Sequence, residues 1–420
     1  MHACFLPALY IKTCYFTGSD EHLQNTDFVR SILRNPHVIP WIRTLEIGLR
    51  RPPPHPLTPG DMPDQIENFV YMNRDARRTR NLSDSDTAHE IKSNDWANTE
   101  FVERTLTIGP DWDGFKDAWI SGLQESSADA FIALIISACS SGLRSLNVEF
   151  PLFPTCFRRV IDYADFDQLE SVTIFPQSPR TLTSTDVMPF FRLPSLKSFT
   201  AYFLIETKSI CSYRDSPVTH LQLYSCIGRY GMHDLICRCK ALKSFQYSYW
   251  NVNMAGCARP QLAPCPHAPT PTLDIFARTL EHAISTLETV HFEHNAICGH
   301  GEPDRELVLG SLAGFPNIKR LRIHAYHMPK LYHFQPSLHG VLPPSLETLE
   351  ITECLDTSLY FMVKAMTHLV VPCKKVPSLS RIILRVQFTS LMPDFHEDYQ
   401  RIQVIGAASS RQGSISKSTA

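Results

Sequence analysis

The sequence has no long apolar run. Its purely apolar stretches, such as residues 131–136, are far shorter than the ~20 residues that a membrane-spanning helix requires. The first 16 residues are only modestly apolar, and Lys12 interrupts them. No basic segment precedes them and no small-residue cleavage site follows, although a signal peptide needs both. We therefore expect neither a membrane span nor a signal peptide, and we expect a cytoplasmic or nuclear location.

The chain also has little net charge. Its 40 Lys and Arg residues against 42 Asp and Glu residues give a formal net charge of -2. This balance argues against a general nucleic-acid or membrane-surface binder, since such proteins use a basic surface to attract their partners. Electrostatics alone therefore indicates no partner class.

The common catalytic and nucleotide-binding motifs are missing. G-x-S-x-G, H-E-x-x-H, G-x-x-x-x-G-K-[ST] and G-x-G-x-x-G do not occur anywhere in the sequence. The prediction is a protein that is not an enzyme and has no cofactor. A thiol- or zinc-dependent enzyme stays open as a remote alternative, because a nucleophile and a distant histidine can meet only in the folded chain.

The 13 cysteines follow no regular spacing, which is typical of reduced, buried thiols rather than a disulfide framework. Two groups of thiols and imidazoles could in principle bind zinc. They are Cys237, Cys239, Cys257, Cys265 and His267, and then His294, Cys298 and His300. Neither has a standard zinc spacing, and Cys237 and Cys239 would point to different faces of a predicted helix. We predict no metal site, with structural zinc as the alternative.

A short apolar phrase recurs along the chain. In residues 346–354, Leu346, Leu349 and Ile351 stand at offsets 0, 3 and 5 and Cys354 closes the phrase, which is the consensus of leucine-rich repeats. The same triplet recurs at Ile42/Leu45/Ile47, Leu143/Leu146/Val148, Leu169/Val172/Ile174, Leu196/Phe199/Ala201, Val218/Leu221/Leu223, Leu242/Phe245/Tyr247, Leu287/Val290/Phe292, Ile318/Leu321/Ile323 and Leu379/Ile382/Leu384. A degenerate copy in residues 9–16 predicts an opening strand.

The spacing of the phrases predicts the architecture. Those that begin at Leu143, Leu169, Leu196, Val218 and Leu242 are 26, 27, 22 and 24 residues apart. This is the length of a repeat made of one strand and one helix, and apolar stripes at helical spacing lie between the phrases. The predicted fold is an α/β leucine-rich-repeat solenoid, or horseshoe, with about ten irregular strand–helix repeats, a parallel concave sheet and convex helices.

Several segments depart from this pattern. We predict a solenoid over residues 1–405, interrupted by a Pro-rich and charged loop at residues 50–100 and a Pro-rich insert at residues 251–271. The Ser/Gly-rich residues 406–420 are predicted to be a disordered tail. Ser126 and Asp129 resemble a capping box that opens a helix over residues 130–139.

The residues between the apolar positions are the candidate binding residues. Side chains at offsets 2, 4 and 6 face away from the core and form an array on the sheet, whose strands lie about 4.8 Å apart. The predicted partner-binding residues are Phe175, Tyr202, His220, Gln222, Tyr224, Gln246, His291, Arg320, Arg322 and His324. Phe175, Tyr202 and Tyr224 form an aromatic row, and Arg320, Arg322 and His324 form a cationic strand, so a protein with an apolar anchor and an acidic end would fit. Alternatively, such residues only improve cross-strand packing and solubility.

The layout resembles that of fungal F-box and leucine-rich-repeat-like proteins. The segments that carry the resemblance are ALYIKTCYF, FVRSILRNPHVIPWIRTLEIGL, DAFIALIISACSSGLRSLNVEF, LPSLKSFTAYF and FPNIKRLRIHAY, and it extends over residues 9–405. It implies a repeat domain that captures protein substrates for a cullin ubiquitin ligase. The helical F-box that binds Skp1 in that family is missing before the first predicted strand, so Skp1 and cullin are expected only if an F-box lies upstream. The alternative is a repeat-only scaffold or inhibitor, and we expect a monomer.

Overall fold

The computed structural model describes thirteen segments of the chain. They are residues 36–47, 115–124, 127–151, 154–176, 182–207, 215–228, 230–250, 273–295, 310–325, 341–355, 376–387, 400–405 and 415–418. The chain forms two compact units, Met1–Tyr202 and Phe203–Ala420. The predicted opening strand, the loop at residues 50–100 and the insert at residues 251–271 lie outside the described residues.

The first unit is built on four parallel strands with helices between them. Its strands are β1 (Thr44–Ile47), β2 (Ser145–Phe150), β3 (Ser171–Pro176), the two-residue β4 (Leu182–Thr183) and β5 (Ser198–Tyr202). Its helices are α1 (Lys116–Gln124), α2 (Ala128–Cys139), α3 (Thr155–Tyr163) and α4 (Ser184–Val187), with 3-10 segments at Pro36–Trp41, Ser140–Gly142 and Met188–Arg192. In the sheet the order is β1-β2-β3-β5.

The second unit repeats this arrangement. Its strands are β6 (Leu204–Ile205), β7 (His220–Cys226), β8 (Ser244–Trp250), β9 (Thr289–Asn295), β10 (Arg320–His324), β11 (Thr348–Leu355), β12 (Arg381–Gln387), β13 (Gln400–Ile405) and β14 (Ile415–Ser418). Its helices are α5 (His233–Ile236) and α6 (Leu273–Leu280), followed by a 3-10 segment at Glu281–Ala283. Strands β7 to β12 pair in parallel in chain order.

The apolar triplets form the core, as predicted. Leu346, Leu349 and Ile351 of the phrase with the full consensus are completely buried. The strands pair without a shift at these positions, so Leu349 is in register with Leu321 on one side and with Ile382 on the other. Every residue of the other predicted triplets is buried too, except Leu379, which is partly exposed. The described residues contain ten parallel strands, with helices interleaved between several of them, which confirms the predicted α/β repeat architecture.

A pair of backbone hydrogen bonds fixes the register at the start of the strands. The amide groups of Arg144 and Ser145 both donate to the carbonyl oxygen of Arg43, over 2.8 and 3.0 Å. The same pair recurs one repeat later, where Glu170 and Ser171 donate to Arg144, and it recurs in the second unit. Because one carbonyl receives both amides, each strand enters the sheet at the same level as its neighbour.

Helix α2 begins differently from the prediction. Its N-cap is Ser127, whose side chain makes no capping hydrogen bond, so the predicted capping box is wrong. The buried Asp129 carboxylate instead accepts hydrogen bonds from the backbone amides of Cys156 and Phe157, over 2.7 and 2.9 Å. These amides belong to the first turn of α3, where backbone donors have no partner within the helix. Asp129 therefore caps the helix of the next repeat instead of its own.

The described C-terminal strands are antiparallel to their neighbours. Strand β13 pairs with β12 in the antiparallel direction, and β14 pairs with β13 in the same way. Strand β14 lies within residues 406–420. An edge strand such as β13 offers unpaired amide and carbonyl groups to any extended segment nearby, which is the basis of this pairing.

Replacing Asp129 should destabilise the protein. Asp129→Ala leaves two buried amides of α3 without an acceptor, so we expect a loss of about 1–3 kcal/mol in the free energy of unfolding, measured by denaturant titration. Asp129→Asn keeps one acceptor and should lose less. Asp117 is the matched control, because it is an exposed carboxylate in the first turn of α1. Equal stability of Asp129→Ala and Asp117→Ala would contradict the inter-repeat cap.

Candidate functional site

The polar face of the second unit consists of the side chains that alternate with the core residues on β7 to β12. The strand register aligns them in rows across the sheet. The first row is His220, Ser244, Thr289, Arg320, Thr348 and Arg381, and the second is Gln222, Gln246, His291, Arg322, Glu350 and Ile383. Six of the ten predicted binding residues therefore lie in these two rows, and a seventh, Tyr224, lies just beyond the second row.

Two of the predicted aromatic residues belong to the first unit. The rings of Phe175 and Tyr202 stack with their centroids 4.6 Å apart and their planes at 18°. Tyr202 is only 8% exposed, whereas Phe175 is partly exposed. Stacking therefore buries most of Tyr202 and leaves Phe175 as the accessible ring of the pair, which corrects the expectation that both face solvent.

Tyr224 is the aromatic residue on the polar face of the second unit. Its hydroxyl donates to Oε1 of Gln246 over 3.1 Å. Burial raises the pKa of Tyr224 to about 12, with the negative charge of Glu293 acting in the same direction and Arg322 against it. The phenol is therefore a neutral hydrogen-bond donor near physiological pH, and it lies among charged side chains.

Charged residues of alternating sign run across β9 to β12. Arg322 lies 2.9 Å from Oε1 of Glu293 through one of its terminal nitrogens, and 3.6 Å from Oε1 of Glu350 through Nε. Arg385 donates from Nε to the same Glu350 oxygen over 2.6 Å. His291 Nε2 lies 2.9 Å from Glu293 Oε1. These contacts join five side chains into one ionic network.

The network keeps Glu293 ionised. Burial of this carboxyl opposes ionisation, but the hydrogen bond from His291 and the charges of His291, Arg322 and Arg385 outweigh that effect and lower its pKa. The strand predicted to be cationic is therefore largely neutralised at Arg322. His324, the third residue of that strand, is 1% exposed and is not on the accessible surface. Neighbouring side chains cover it although its position alternates with the core.

Two arginines on this face are not neutralised. Arg320 is exposed and Arg381 is partly exposed, and both are in register with Thr348, which lies between them. In the part of the chain that the structure describes, neither arginine forms an ion pair. With strands about 4.8 Å apart, the two backbone positions are about 10 Å from each other. The arrangement is a cationic pair that flanks a hydroxyl group.

The predicted set of binding residues left out the acidic members of this face. Glu293 and Glu350 were missed, as were Arg381 and Arg385, although all four stand at offsets 2, 4 or 6 of the recurring phrase. Aligning consecutive phrases would have placed Glu350 beside Arg322. The missed signal is the opposite charge at the same offset of neighbouring repeats, because that pairing converts a predicted cationic strand into a network.

The cysteine side chains that the structure describes lie in the protein core. These cysteines are buried thiols outside any disulfide: Cys139, Cys156, Cys226, Cys237 and Cys239. Cys226 closes its phrase and serves the backbone, since its sulfur accepts from the Leu204 amide over 3.3 Å and donates to the Tyr224 carbonyl over 3.2 Å. Burial raises the pKa of the Cys237 thiol to about 11, against the positive charge of Lys240. Cys257, Cys265, His267, Cys298 and His300 lie outside the described residues.

Replacing Glu293 should make the free energy of unfolding vary less with pH in the acid range. Because its folded-state pKa is lowered from the ordinary 4.5, ionised Glu293 stabilises the fold above that pH and loses this effect as the pH falls through the lower value. Glu293→Gln should therefore cost about 1 kcal/mol near pH 7, and the gap to the unmodified protein should close in acid. Denaturant titrations at several pH values measure this. Glu281→Gln, an exposed site, is the control, and a gap that widens in acid would refute the network.

One comparison with known protein families identifies the family of this repeat fold. No curated protein matches the chain. No helix among the described residues combines the length and the hydropathy needed to cross a membrane. A family model described as a leucine-rich repeat domain matches residues 161–392, more than half of the chain and the whole range from β3 to β12. Such domains are typically non-catalytic modules that bind proteins. The chain belongs to the leucine-rich repeat domain family.

Proposed function

We propose that this protein is a non-enzymatic recognition module that binds an acidic segment of a partner protein on the polar face of the second unit. The single observation that carries the proposal is the cationic pair Arg320 and Arg381. The other two arginines of this face, Arg322 and Arg385, are neutralised by Glu293 and Glu350. Among the described residues no acidic group pairs with Arg320 or Arg381, so their charges are available to a partner.

The chemistry of arginine favours a carboxylate or a similar planar anion. A guanidinium group presents its N–H donors in a fixed fork, which matches the two oxygens of a carboxylate. Arg320 and Arg381 stand on two strands with only Thr348 between them, so an acidic side chain laid across β11 could contact both. The Thr348 hydroxyl offers a further hydrogen bond at the centre of the pair.

The rest of the face is suited to a specific partner. Four charged side chains, Glu293, Arg322, Glu350 and Arg385, are already held by one another, so the partner does not have to order them. Tyr224 adds an aromatic ring with a neutral hydroxyl, and tyrosine and arginine are enriched among residues that dominate binding energy. Gln222 and Gln246 supply amides that can both donate and accept.

A second surface in the first unit could contribute an apolar contact. Phe175 is held rigidly by its stack on Tyr202, and a partly exposed rigid ring is the usual form of an interface anchor. We infer that a partner with an apolar group would use it. The two surfaces are independent parts of the proposal.

A narrower proposal concerns the class of partner. We infer from the sequence resemblance to F-box and leucine-rich-repeat-like proteins that the captured protein is a substrate of a ubiquitin ligase. The alternative is a scaffold or inhibitor with no link to ubiquitin. Copurification of Skp1 and a cullin with the product of the complete gene would support the narrower proposal, and their absence from a complex that retains the partner would favour the alternative.

Charge reversal on the polar face should abolish partner binding. The Arg320→Glu/Arg381→Glu variant would repel an acidic segment, so proteins captured by the unmodified chain should be missing from the variant. With the purified partner, isothermal titration calorimetry should show an affinity at least about 100-fold lower, since the variant loses two charge-assisted contacts of about 1.5–3 kcal/mol each. For the unmodified chain the affinity should also fall with salt.

The matched control reverses two positive charges at positions outside the polar face. Lys240→Glu/Arg278→Glu reverses two exposed cations on the helical side of the second unit and should bind as the unmodified chain does. Equal binding by both double variants would overturn the assignment of the polar face. A loss of binding in both variants would mean that overall charge, and not the cationic pair, attracts the partner.

A further inference from the structure

Three potential metal ligands meet on the helical side of the second unit. They are the imidazole nitrogens of His233 and His282 and the sulfur of Cys237, and the three ligand atoms lie within 4.8 Å of one another. His233 begins α5 and Cys237 follows its last residue. Residues four apart in a helical turn lie on the same side of it, so these two side chains face the same way. His282 comes from the 3-10 segment after α6.

The backbone around His233 is held in place by a buried carboxylate. Glu206 accepts hydrogen bonds from the amides of Tyr230 and His233, over 2.5 and 2.8 Å. The turn between these residues needs left-handed backbone at Gly231, with φ of 71°, and at Met232, with φ of 53°. Glu206 therefore fixes a tight turn whose last residue presents the first imidazole.

Close packing brings the second imidazole to this turn. A side chain added at Gly231 would place its Cβ only 2.8 Å from Cγ2 of Ile275, a residue of α6. Helix α6 therefore lies directly against the turn, and the chain that leaves it carries His282 back towards His233. The two imidazole rings are 6.0 Å apart at their centroids and meet edge to face at 89°.

The Cys237 thiol differs from its neighbours. The thiols of Cys226 and Cys239 each donate to a backbone carbonyl, that of Cys239 to Leu235 over 3.3 Å. Among the described residues no hydrogen bond involves the sulfur of Cys237, although the residue is 8% exposed. Its one polar atom is therefore directed at two exposed imidazoles, whereas the thiols of Cys226 and Cys239 bond to the backbone.

We propose that His233, Cys237 and His282 bind one Zn²⁺ ion, with a water molecule in the fourth position. A thiolate and two imidazoles are the ligands that zinc prefers over the oxygen-binding cations. The Asp234 carboxylate lies 3.6 Å from Nδ1 of His233, so a small movement would let it accept a hydrogen bond from this ring and orient the histidine. The site lies apart from the polar face, and it does not depend on the proposed function.

Binding requires only small side-chain movements and a proton transfer. Zinc bonds of about 2.0–2.3 Å in a tetrahedron place the ligand atoms about 3.5 Å apart, so the present spacing must close by about 1 Å. The S–H bond of Cys237 breaks, its proton goes to solvent, and a Zn–S bond forms; the two neutral imidazoles each donate a lone pair. No oxidant or reductant takes part.

The ion would link two repeats that are far apart in the chain. His233 and Cys237 precede β8, whereas His282 follows the Pro-rich insert at residues 251–271. A bond between them would hold the helical elements on either side of the insert together. Zinc binding should therefore raise the melting temperature of the full chain, because a ligand that binds only the folded state stabilises it.

Metal titration of the full chain tests the proposal. After removal of metals under reducing conditions, Zn²⁺ is titrated in competition with a chromophoric chelator, and Co²⁺ is used as a spectroscopic probe for a tetrahedral thiolate site. We expect one site for which His233→Asn, Cys237→Ser and His282→Asn each lower the Zn²⁺ affinity by more than about 100-fold. Cys237→Ser should also abolish the thiolate-to-cobalt charge-transfer band.

The chain offers a matched control for each ligand type. Cys239→Ser replaces a nearby buried thiol by a hydroxyl that can keep the bond to Leu235, and His220→Asn replaces an exposed histidine of the polar face. Both should retain the site and the thermal shift with Zn²⁺. His233 and His282 are exposed, so their variants should keep the far-ultraviolet circular dichroism of the metal-free chain.

Two results would overturn the proposal. One is the absence of Zn²⁺ binding and of a thiolate–cobalt band in the unmodified chain. The other is binding that His233→Asn, Cys237→Ser and His282→Asn leave unchanged, which would place the metal on other cysteines and histidines of the chain. A variant that loses the affinity but keeps its dichroism supports the site, since unfolding cannot then explain the loss.

Discussion

The paired hydrogen bonds at the start of eight of the ten parallel strands are the constraint on which the rest of the structure depends. When two successive amides donate to one carbonyl of the preceding repeat, the new strand has no freedom to slide. A slip of one residue would turn every core side chain to the opposite face. The fixed register is therefore what stacks Leu321, Leu349 and Ile382, and it also aligns the polar rows.

Side chains reinforce this register between repeats. Thr286 donates to the carbonyl of Leu242 over 2.8 Å, Asn317 to that of Ser285 over 2.7 Å, and Ser345 to that of Ile318 over 2.8 Å. Each of these residues lies just before a strand of the second unit, where the chain enters the sheet. The short polar residues that separate the apolar phrases are thus part of the framework.

One core position shows how the fold accommodates an irregular repeat. Strand β7 has a bulge between Leu223 and Cys226, and Ser225 within it has a positive φ of 52°. The hydroxyl of Tyr247, at offset 5 of the next phrase, donates to the Cys226 carbonyl over 3.0 Å and accepts from the Gly228 amide over 2.9 Å. A tyrosine is tolerated at this core position because the bulge leaves backbone groups for its hydroxyl to satisfy.

The sequence predicts what is local and periodic. The triplets at offsets 0, 3 and 5 identify the strands because alternation is a property of the strand itself. The hydrogen-bond partners of Asp129 could not be predicted, since the backbone amides that donate to its carboxylate belong to the helix of the next repeat. Likewise His233, Cys237 and His282 follow no zinc spacing, and only the packing of α6 against Gly231 brings them together.

The difference in charge pairing between Arg320 and Arg322 also arises from contacts between repeats. Arg320 and Arg322 are two residues apart on one strand, and nothing within their own repeat distinguishes them. The register places Arg322 opposite Glu350 and Arg320 opposite Thr348. One guanidinium is therefore committed to the network and the other is left for solvent or a partner. The position of an arginine relative to neighbouring strands, more than its exposure, determines whether its charge is available for recognition.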